Sequence, residues 1–380
     1  MQIIFESVNQ AGQHAIIYGE RGVGKTSLAN VIGPALAEAH TADFKLSHID
    51  CDRGDNFISV WKKAFGNLTV LDRKVVTDSP HAQRTFEIPE TLGEWLDETA
   101  TAEEIAKIVR LAGGHMIVII DEFDQLRDNP DVARRMANAL KTLSDRRALI
   151  TVILVGVADS VAELVAEHES IKRNLNTVQM PRMSPQEVAD IITNGLAFIG
   201  REIEDDALAY IQDLVQGMPA AAHRIGLQSA YVLIDEEAPV CTREHVSKAL
   251  RDVIESQMPA SLRQAWVTAT DSPRKNALFD RVLVACALAP RNELGWFFPA
   301  DILEPFRAVT NPTYNVSTYS PHLHSLADER GNVLEKIGRP RKFQFRFKDP
   351  LFQSFVIMHA LSVGLLDEGT LERFRENLPG

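Results

Sequence analysis

Short apolar runs alternate with helix-period segments in the first half of the chain. Residues 15–18, 116–120 and 149–156 form nearly continuous apolar runs, which is typical of strands buried on both faces of a parallel sheet. Residues 28–39 carry a helical pattern soon after the first run. Strands that alternate with helices in this way predict an α/β fold built around a parallel sheet.

The pattern changes at Ser184, and from there to about residue 257 it predicts helices alone. Ser184-Pro185-Gln186-Glu187 is a capping box with proline at the first helical position. Val188 and Leu196 then fall on one face of the predicted helix. Apolar residues at helical spacing predict two further helices, near 208–215 and 246–253.

Three helices and a hairpin are predicted beyond residue 270. The helices are expected at 271–288, 300–309 and 320–330, and the strands at 333–337 and 342–347. In the second strand, phenylalanines alternate with polar residues, as on a sheet with one buried face. Three helices followed by a hairpin are the elements of a winged helix. The stretch 67–101, with its prolines and mixed polarity, suggests an insertion of undetermined role.

Composition sets limits on these elements. The chain has 380 residues, of which 45% are apolar, and at roughly 150 residues per domain this indicates two or three domains. The patterns place these domains at 1–183, 184–257 and 258–380.

Three widely spaced cysteines indicate neither a disulfide framework nor a zinc site. No apolar run reaches the ~18 residues of a membrane span, so we expect a cytoplasmic protein without a membrane partner.

A glycine-rich loop between the first strand and its helix carries the clearest chemistry. Glycines in such a loop turn successive backbone amides inward, so that a phosphate chain meets a nest of donors at a helix's positive end. Lys25 is expected to reach the β- and γ-phosphates, and the Thr26 hydroxyl to bind Mg²⁺. The residues expected to contact nucleotide here are Gly19, Glu20, Arg21, Gly22, Val23, Gly24, Lys25, Thr26 and Ser27.

Two acids follow the second apolar run. Asp121 ends the predicted strand at the carboxyl edge of the sheet, where a carboxylate can hold Mg²⁺ through its water shell. Glu122 is placed to polarise the water that attacks the γ-phosphate. The alternative for Glu122 and for Asp124 is a solvated helix start.

These motifs resemble the additional-strand, catalytic-glutamate branch of P-loop ATPases, and within it the AAA+ class and its STAND relatives. The resemblance implies an AAA+-type parallel sheet followed by a helical lid and a winged-helix domain, as in origin-recognition and transposition-helper ATPases. Without an Asn/Thr-Lys-x-Asp motif that reads guanine, the chain fits ATP better than GTP. The expected cofactors are therefore ATP and Mg²⁺.

The resemblance also implies residues that complete the site. Asp159 falls where origin-recognition ATPases carry a polar sensor, although it could equally cap a helix. In the family, a neighbouring subunit contributes an arginine to the site, but the matching position in this chain is Ser170. Arg173, three residues later, could substitute for that arginine. Alternatively, Arg173 is an exposed or locally paired residue.

The lid departs from the pattern of the family. Where many AAA+ proteins carry a second sensor arginine, this chain has Gly217-Met218-Pro219-Ala220. A Gly-x-Pro there resembles STAND-type switches, in which the proline region packs on the nucleotide, so Pro219 is expected at the nucleotide and turnover is expected to be slow. His223 and Arg224 could compensate, though a satisfied helix histidine is the preferred interpretation of His223.

Basic residues concentrate in the predicted hairpin, although the net charge of −12 excludes indiscriminate coating of DNA. Four of them on phosphates would give a log–log salt slope of about −3.6. Duplex DNA is the predicted partner, chiefly through Arg339, Arg341, Lys342 and Arg346. The alternatives are a solvated hairpin and a wing that packs on protein. The full basic set is Lys336, Arg339, Arg341, Lys342, Arg346 and Lys348.

Two functions remain open at this point. In the first, an ATPase assembles as a homo-oligomer with nucleotide between subunits and couples ATP state to DNA or to a DNA-bound partner. In the second, a STAND-like nucleotide switch regulates a separate protein effector, for example in antiphage defence. In the second function ATP hydrolysis would be incidental, and the activity of the effector would depend on Lys25.

Overall fold

The computed structural model describes residues 1–39, 44–79, 82–126, 129–156, 172–273 and 277–374, without the side chains of residues 39 and 71–88. The chain forms two compact units. The first comprises Met1–Gly19 with Gly24–Met180, and the second comprises Glu20–Val23 with Pro181–Gly380. Within the described part of the chain, no helix has the length and apolar character required to cross a bilayer.

A five-stranded parallel sheet organises the first unit, as the sequence predicts. Its strands lie in the order β2 (Phe44–Asp50), β5 (His115–Asp121), β6 (Ile150–Gly156), β1 (His14–Gly19) and β7 (Leu175–Met180). The central strands β5 and β6 are buried almost throughout, which explains why they appear in the sequence as continuous apolar runs.

Helices cover this sheet and bury its apolar faces. Side-chain caps start two of them: Asn56 accepts hydrogen bonds from the amides of Ile58 and Ser59, and Thr101 forms a capping box with Glu104. The helices of this unit are α1 (Gln2–Asn9), α2 (Lys25–Ala39), α3 (Phe57–Gly66), α4 (Ala102–Ala112) and α5 (Pro130–Asp145).

The predicted insertion contains an antiparallel hairpin of β3 (Thr69–Ser79) and β4 (Ala82–Thr91), which forms a sheet of its own. The register runs from Thr69 opposite Thr91 to Ser79 opposite Ala82. The sequence did not indicate strands here, since Pro89 and the mixed polarity argue against a strand of a buried sheet. A separate two-stranded ribbon tolerates both, because each of its strands has a free edge.

The second unit begins with helices, as expected, but not with helices alone. Two-residue strands β8 (Glu202–Ile203) and β9 (Val240–Cys241) pair in parallel, a feature too short to leave a periodic signal. The predicted capping box is present, since Ser184 accepts from the amide of Glu187 and the Glu187 carboxylate accepts from the amide of Ser184. The helices are α6 (Pro185–Phe198), α7 (Asp205–Val215), α8 (Pro219–Asp235) and α9 (Arg243–Asp252).

Beyond α9, a π-helical turn at Val253–Gln257 leads into a second group of helices. A hairpin of β10 (Leu334–Ile337) and β11 (Gln344–Phe347) follows, and Phe297 adds a single antiparallel bridge to Phe345. The helices are α10 (Ala260–Thr270), α11 (Phe279–Leu288), α12 (Leu303–Val309), α13 (Val316–Asp328), α14 (Pro350–Ser362) and α15 (Glu368–Arg373).

Two predicted helix starts were wrong. Asp271 ends α10 instead of capping the next helix, which begins only at Phe279. Helix α13 begins at Val316, ahead of the predicted Ser320-Pro321, because Asn315 accepts a hydrogen bond from the amide of Ser317 and forms a capping box with Thr318.

One continuous apolar core runs through the second unit, from Val188 in α6 to Phe374 after α15. The boundary predicted at 257/258 therefore lies inside a shared core and stays a prediction. All three cysteines are buried and free. Burial raises the pKa of the Cys51 thiol to about 12, with the charge of Asp55 as a further cause, and burial raises the pKa of Cys241 to about 11.

Candidate functional site

The glycine-rich loop joins β1 to α2, as its sequence predicts. Gly22 and Gly24 adopt φ values of +83° and +97°, a region that other residues rarely enter. The Lys25 ammonium donates a hydrogen bond to the carbonyl oxygen of Gly19 at 3.3 Å, across the loop. Thr26 and Ser27 are exposed in the first turn of α2, where helix amides lack intrahelical partners. This arrangement provides an anion site at a helix N-terminus.

The carboxyl end of β5 presents the two predicted acids in different environments. Asp121 is only 2% exposed; its Oδ1 accepts a hydrogen bond from the Glu122 amide at 2.7 Å. The Oδ2 atom of Asp121 has no hydrogen-bond partner among the described residues. Glu122 is exposed and has a φ of +53°, a left-handed conformation that is uncommon for residues other than glycine and is often found at functional sites.

Sequence reasoning missed two residues beside Asp121. In the parallel register Asp50 of β2 lies opposite Asp121, and His48 lies opposite Ile119. One donor atom from each of His48, Asp50 and Asp121 lies within 4.8 Å of the others. This juxtaposition depends on β2 pairing with β5. The sequence could not reveal it, because Asp50 and Asp121 lie 71 positions apart.

A buried ion pair in the second unit was also missed. Arg182 Nε donates to Glu20 Oε2 at 2.6 Å, and the two side chains are 5% and 6% exposed. Arg182 Nη1 also donates to the carbonyl oxygen of Gln216 at 3.3 Å. The side chain of Glu20, predicted among the nucleotide contacts, is thus engaged by Arg182. No motif surrounds Arg182 in the sequence.

A second arginine lies close to this pair. Arg291 Nη2 donates to Gln216 Oε1 at 3.2 Å and to the carbonyl oxygen of Ala287 at 3.0 Å. Burial lowers the pKa of Arg291 well below its usual value; the charge of Arg182 lowers it further and that of Glu20 opposes the change. Arg182 and Arg291 therefore both donate to Gln216, the first to its backbone carbonyl and the second to its side chain.

The remaining predicted residues have mixed outcomes. Arg21 is exposed and Val23 is buried. Arg173 is exposed just ahead of β7, and its role between subunits stays a prediction. Asp159 lies outside the described residues. Pro219 is half-buried at the first position of α8, so its contact with nucleotide also stays a prediction.

The contacts of His223 and Arg224 do not favour either residue as a substitute for the second sensor arginine. Arg224 donates to the carbonyl oxygen of Gln257, which engages its guanidinium within the second unit. His223 is exposed on α8.

The hairpin of β10 and β11 divides its basic residues into two groups. Lys336 pairs with Asp328 at 2.5 Å. Arg346, which the sequence proposed as a DNA contact, instead pairs with Glu335 at 2.5 Å and stacks over the ring of Trp296. Their charges are thus largely neutralised within the fold. The exposed basic residues of this hairpin are Arg339, Arg341, Lys342 and Lys348.

The oxygen donors of the first unit fit a magnesium ion. Mg²⁺ prefers hydroxyl and carboxylate oxygens and retains several waters. Thr26 offers an exposed hydroxyl, and Asp121 offers a buried carboxylate with one oxygen unpartnered among the described residues. An ion held by these residues would neutralise charge on bound phosphates.

Comparisons with known proteins found one family profile and several solved structures that are similar to this chain. Residues 8–165 match the family profile described as AAA domain. No curated protein matches the sequence. Among solved structures, the chain is similar to the Aeropyrum pernix Orc1 protein in complex with DNA, at 14% identity and a TM-score of 0.45, with 96% of this chain and 92% of that chain covered.

Two further structures are similar over the same shares of each chain, 96% and 92%. They are the Aeropyrum pernix Orc2 protein in ADPNP–ADP complexes, at 13% identity and a TM-score of 0.48, and Cdc6p from Pyrobaculum aerophilum, at 15% and 0.43. Because these TM-scores are below 0.5, the assignment rests on the family profile and on the site.

Proposed function

We propose that this chain, whose residues 8–165 form an AAA domain of the P-loop ATPase class, binds ATP with Mg²⁺ and hydrolyses it to ADP and phosphate in the cytoplasm. The observation that carries the proposal is the pair of acids ending β5. Asp121 is buried with an unpartnered oxygen in the described structure, while Glu122 is exposed in a left-handed conformation. The first suits a metal ligand and the second suits a base that must reach water.

The residues divide the chemistry in a defined way. The amides of the loop after Gly19 and the Lys25 ammonium bind the phosphates and stabilise the charge that develops in the transition state. Thr26 and Asp121 would hold the Mg²⁺, which would neutralise charge on the phosphates of bound ATP. Glu122 orients the attacking water and accepts its proton.

We further propose that nucleotide promotes assembly of several copies, with Arg173 of one subunit placed toward the nucleotide of the next. Arg173 is exposed, as a residue that acts on another subunit must be. Transition-state charge on a transferred phosphoryl group is commonly met by such an arginine. Asp159 keeps its proposed role as a polar sensor.

The hairpin of β10 and β11 is proposed to be the wing of a winged helix that contacts duplex DNA. Its exposed basic residues are Arg339, Arg341, Lys342 and Lys348, and contacts with phosphates require such accessible side chains. The Phe297–Phe345 bridge adds a third strand position beside the hairpin, which supports this assignment.

A slow, STAND-like switch that regulates a separate protein effector, as in antiphage defence, is the second candidate. Gly22 of the loop belongs to the second unit, and a Cβ added to it would lie 3.1 Å from Cε of Met218, next to Pro219. Together with the Glu20–Arg182 pair, this packing favours a loop whose conformation is tied to that of the helices. Hydrolysis would then reset the switch.

Nucleotide binding is tested by calorimetry of Mg-ATP on nucleotide-free protein. We expect wild type to bind and Lys25→Ala to bind at least tenfold more weakly, since the ammonium contacts the phosphates. Lys107→Ala, an exposed lysine on α4, is the matched control and should bind as wild type does. Absence of binding by wild type, or equal binding by Lys25→Ala, would refute the proposal.

The two candidate functions predict different assemblies. If the chain is a DNA-coupled ATPase, wild type should form an oligomer on duplex DNA in the presence of ATP, and Lys25→Ala should not. Light scattering measures the oligomer, and fluorescence anisotropy measures DNA binding. The second predicts no DNA association and a partner whose activity depends on Lys25.

A further inference from the structure

A cluster of metal-ligand types lies at the carboxyl edge of the sheet in the first unit, next to Asp121. His48 and Asp50 alternate along β2, and Asp50 lies opposite Asp121 in the parallel register. Alternate residues of a strand project to the same face. One donor atom from each of the three residues lies within 4.8 Å of the others, which is close to the spacing of ligands that share one ion.

Two of these side chains carry atoms that are enclosed and unsatisfied. Asp121 is 2% exposed, and neither its Oδ2 nor Nε2 of His48 has a hydrogen-bond partner in the described part of the chain. Enclosed polar atoms are nearly always paired in folded proteins. Two side chains with such atoms belong to this one cluster, which indicates that a ligand completes them.

We propose that His48, Asp50 and Asp121 bind a divalent first-row transition ion, with Mn²⁺ and Zn²⁺ as the best candidates. Imidazole nitrogen suits transition ions, and carboxylates extend the choice to Mn²⁺. Mg²⁺ prefers oxygen ligands and water, so the imidazole distinguishes this site from the proposed Mg-ATP site. Three protein ligands leave positions open for water.

The two sites share Asp121 but differ in their other ligands. The Mg-ATP site depends on Lys25, Thr26 and the loop amides, whereas the transition-ion site depends on His48 and Asp50. A transition ion at the β2–β5 edge therefore needs no nucleotide. Because it would occupy Asp121, we infer that it competes with the hydrolytic Mg²⁺ arrangement.

The test uses full-length, nucleotide-free protein that has been treated with chelator and dialysed. Titration with Mn²⁺, followed by electron paramagnetic resonance and calorimetry, should show one ion per chain, and Zn²⁺ should displace it. His48→Ala and Asp50→Asn should each weaken Mn²⁺ binding at least tenfold. His48→Ala should still bind Mg-ATP as wild type does, which shows that the variant is folded.

Two controls separate this proposal from its alternatives. His115→Ala removes a histidine from the opposite end of β5 and should leave Mn²⁺ binding unchanged. Lys25→Ala should bind ATP more weakly but should bind Mn²⁺ as wild type does. A failure of the proposed ATPase function can therefore be distinguished from a failure of the metal site. The metal site is overturned if wild type binds no Mn²⁺ or Zn²⁺, or if His48→Ala binds Mn²⁺ as tightly as wild type.

Discussion

Arg182 and Glu20 form an ion pair of 2.6 Å with almost no access to solvent. Glu20 follows the last residue of β1, and Arg182 lies two residues before Ser184, the N-cap of α6. The pair therefore fixes a loop residue against the start of the helices in the second unit. Arg182 also donates to the carbonyl oxygen of Gln216, whose side chain accepts from Arg291.

Glu20→Gln should destabilise the protein by about 3–5 kcal/mol, because removal of one partner leaves a buried charge without compensation. Asp131→Asn breaks the exposed pair with Arg134 and should cost no more than about 1 kcal/mol. Urea unfolding of both variants beside wild type measures the difference. Equal losses in the two variants would contradict a special role for the buried pair.

Glu122→Gln should lower the rate of ATP hydrolysis at least about 100-fold, the usual contribution of a positioned base, while the affinity for ATP changes little. The amide keeps the size of the side chain but cannot accept the proton of the attacking water. Glu38→Gln, an exposed glutamate on α2, makes the same chemical change away from the site. Hydrolysis by Glu122→Gln at the wild-type rate would remove Glu122 from the mechanism.

Salt dependence should separate the two groups of basic residues in the hairpin. If the four exposed side chains contact phosphates, the log–log slope for duplex binding is about −3.6, and Arg341→Ala brings it to about −2.7. Lys336→Ala should leave the slope unchanged, since Lys336 already pairs with Asp328. Fluorescence anisotropy across a range of salt concentrations measures both. Equal effects of the two substitutions would show that pairing does not decide which residues bind DNA.

His14 should make the protein less stable as the pH falls below about 6.5. Burial lowers its pKa to about 4, and its Nδ1 accepts a hydrogen bond from the Val152 amide at 3.1 Å. The unfolded chain takes up a proton near pH 6.5 while the folded chain does not. The contribution of neutral His14 is thus complete above pH 6.5 and is lost progressively toward pH 4.

Between pH 7 and pH 5 this loss amounts to about 2 kcal/mol. His14→Asn retains an acceptor for Val152 but cannot titrate, so its stability should fall by about 2 kcal/mol less over the same interval. Urea unfolding at both pH values measures the change in the free energy of unfolding. Equal decreases in wild type and in His14→Asn would exclude His14 as the cause of the pH dependence.

The parts of the site that the sequence predicted are local. Lys25 and Thr26 lie within a loop whose function follows from a few consecutive residues, and Asp121 and Glu122 follow one apolar strand. The geometry of such a segment follows from its own sequence, because strand, loop and helix are continuous in the chain. The parallel sheet was predictable for the same reason, from runs of buried residues.

The parts that the sequence missed depend on distant pairings. His48 approaches Asp121 only because β2 pairs with β5, and Arg182 approaches Glu20 only because the chain returns after about 160 residues. The ion pair of Arg346 with Glu335 follows from the register of the hairpin, which composition alone cannot reveal. Charge counts therefore overestimated the basic surface of the hairpin.

The burial of all three native thiols has a practical consequence for following this protein in motion. Cys51, Cys241 and Cys286 are enclosed, so a maleimide dye would find no reactive target on the folded chain. A single cysteine introduced at exposed Lys342 could be labelled without altering any native cysteine. Movement of the hairpin during a nucleotide cycle could then be recorded one molecule at a time.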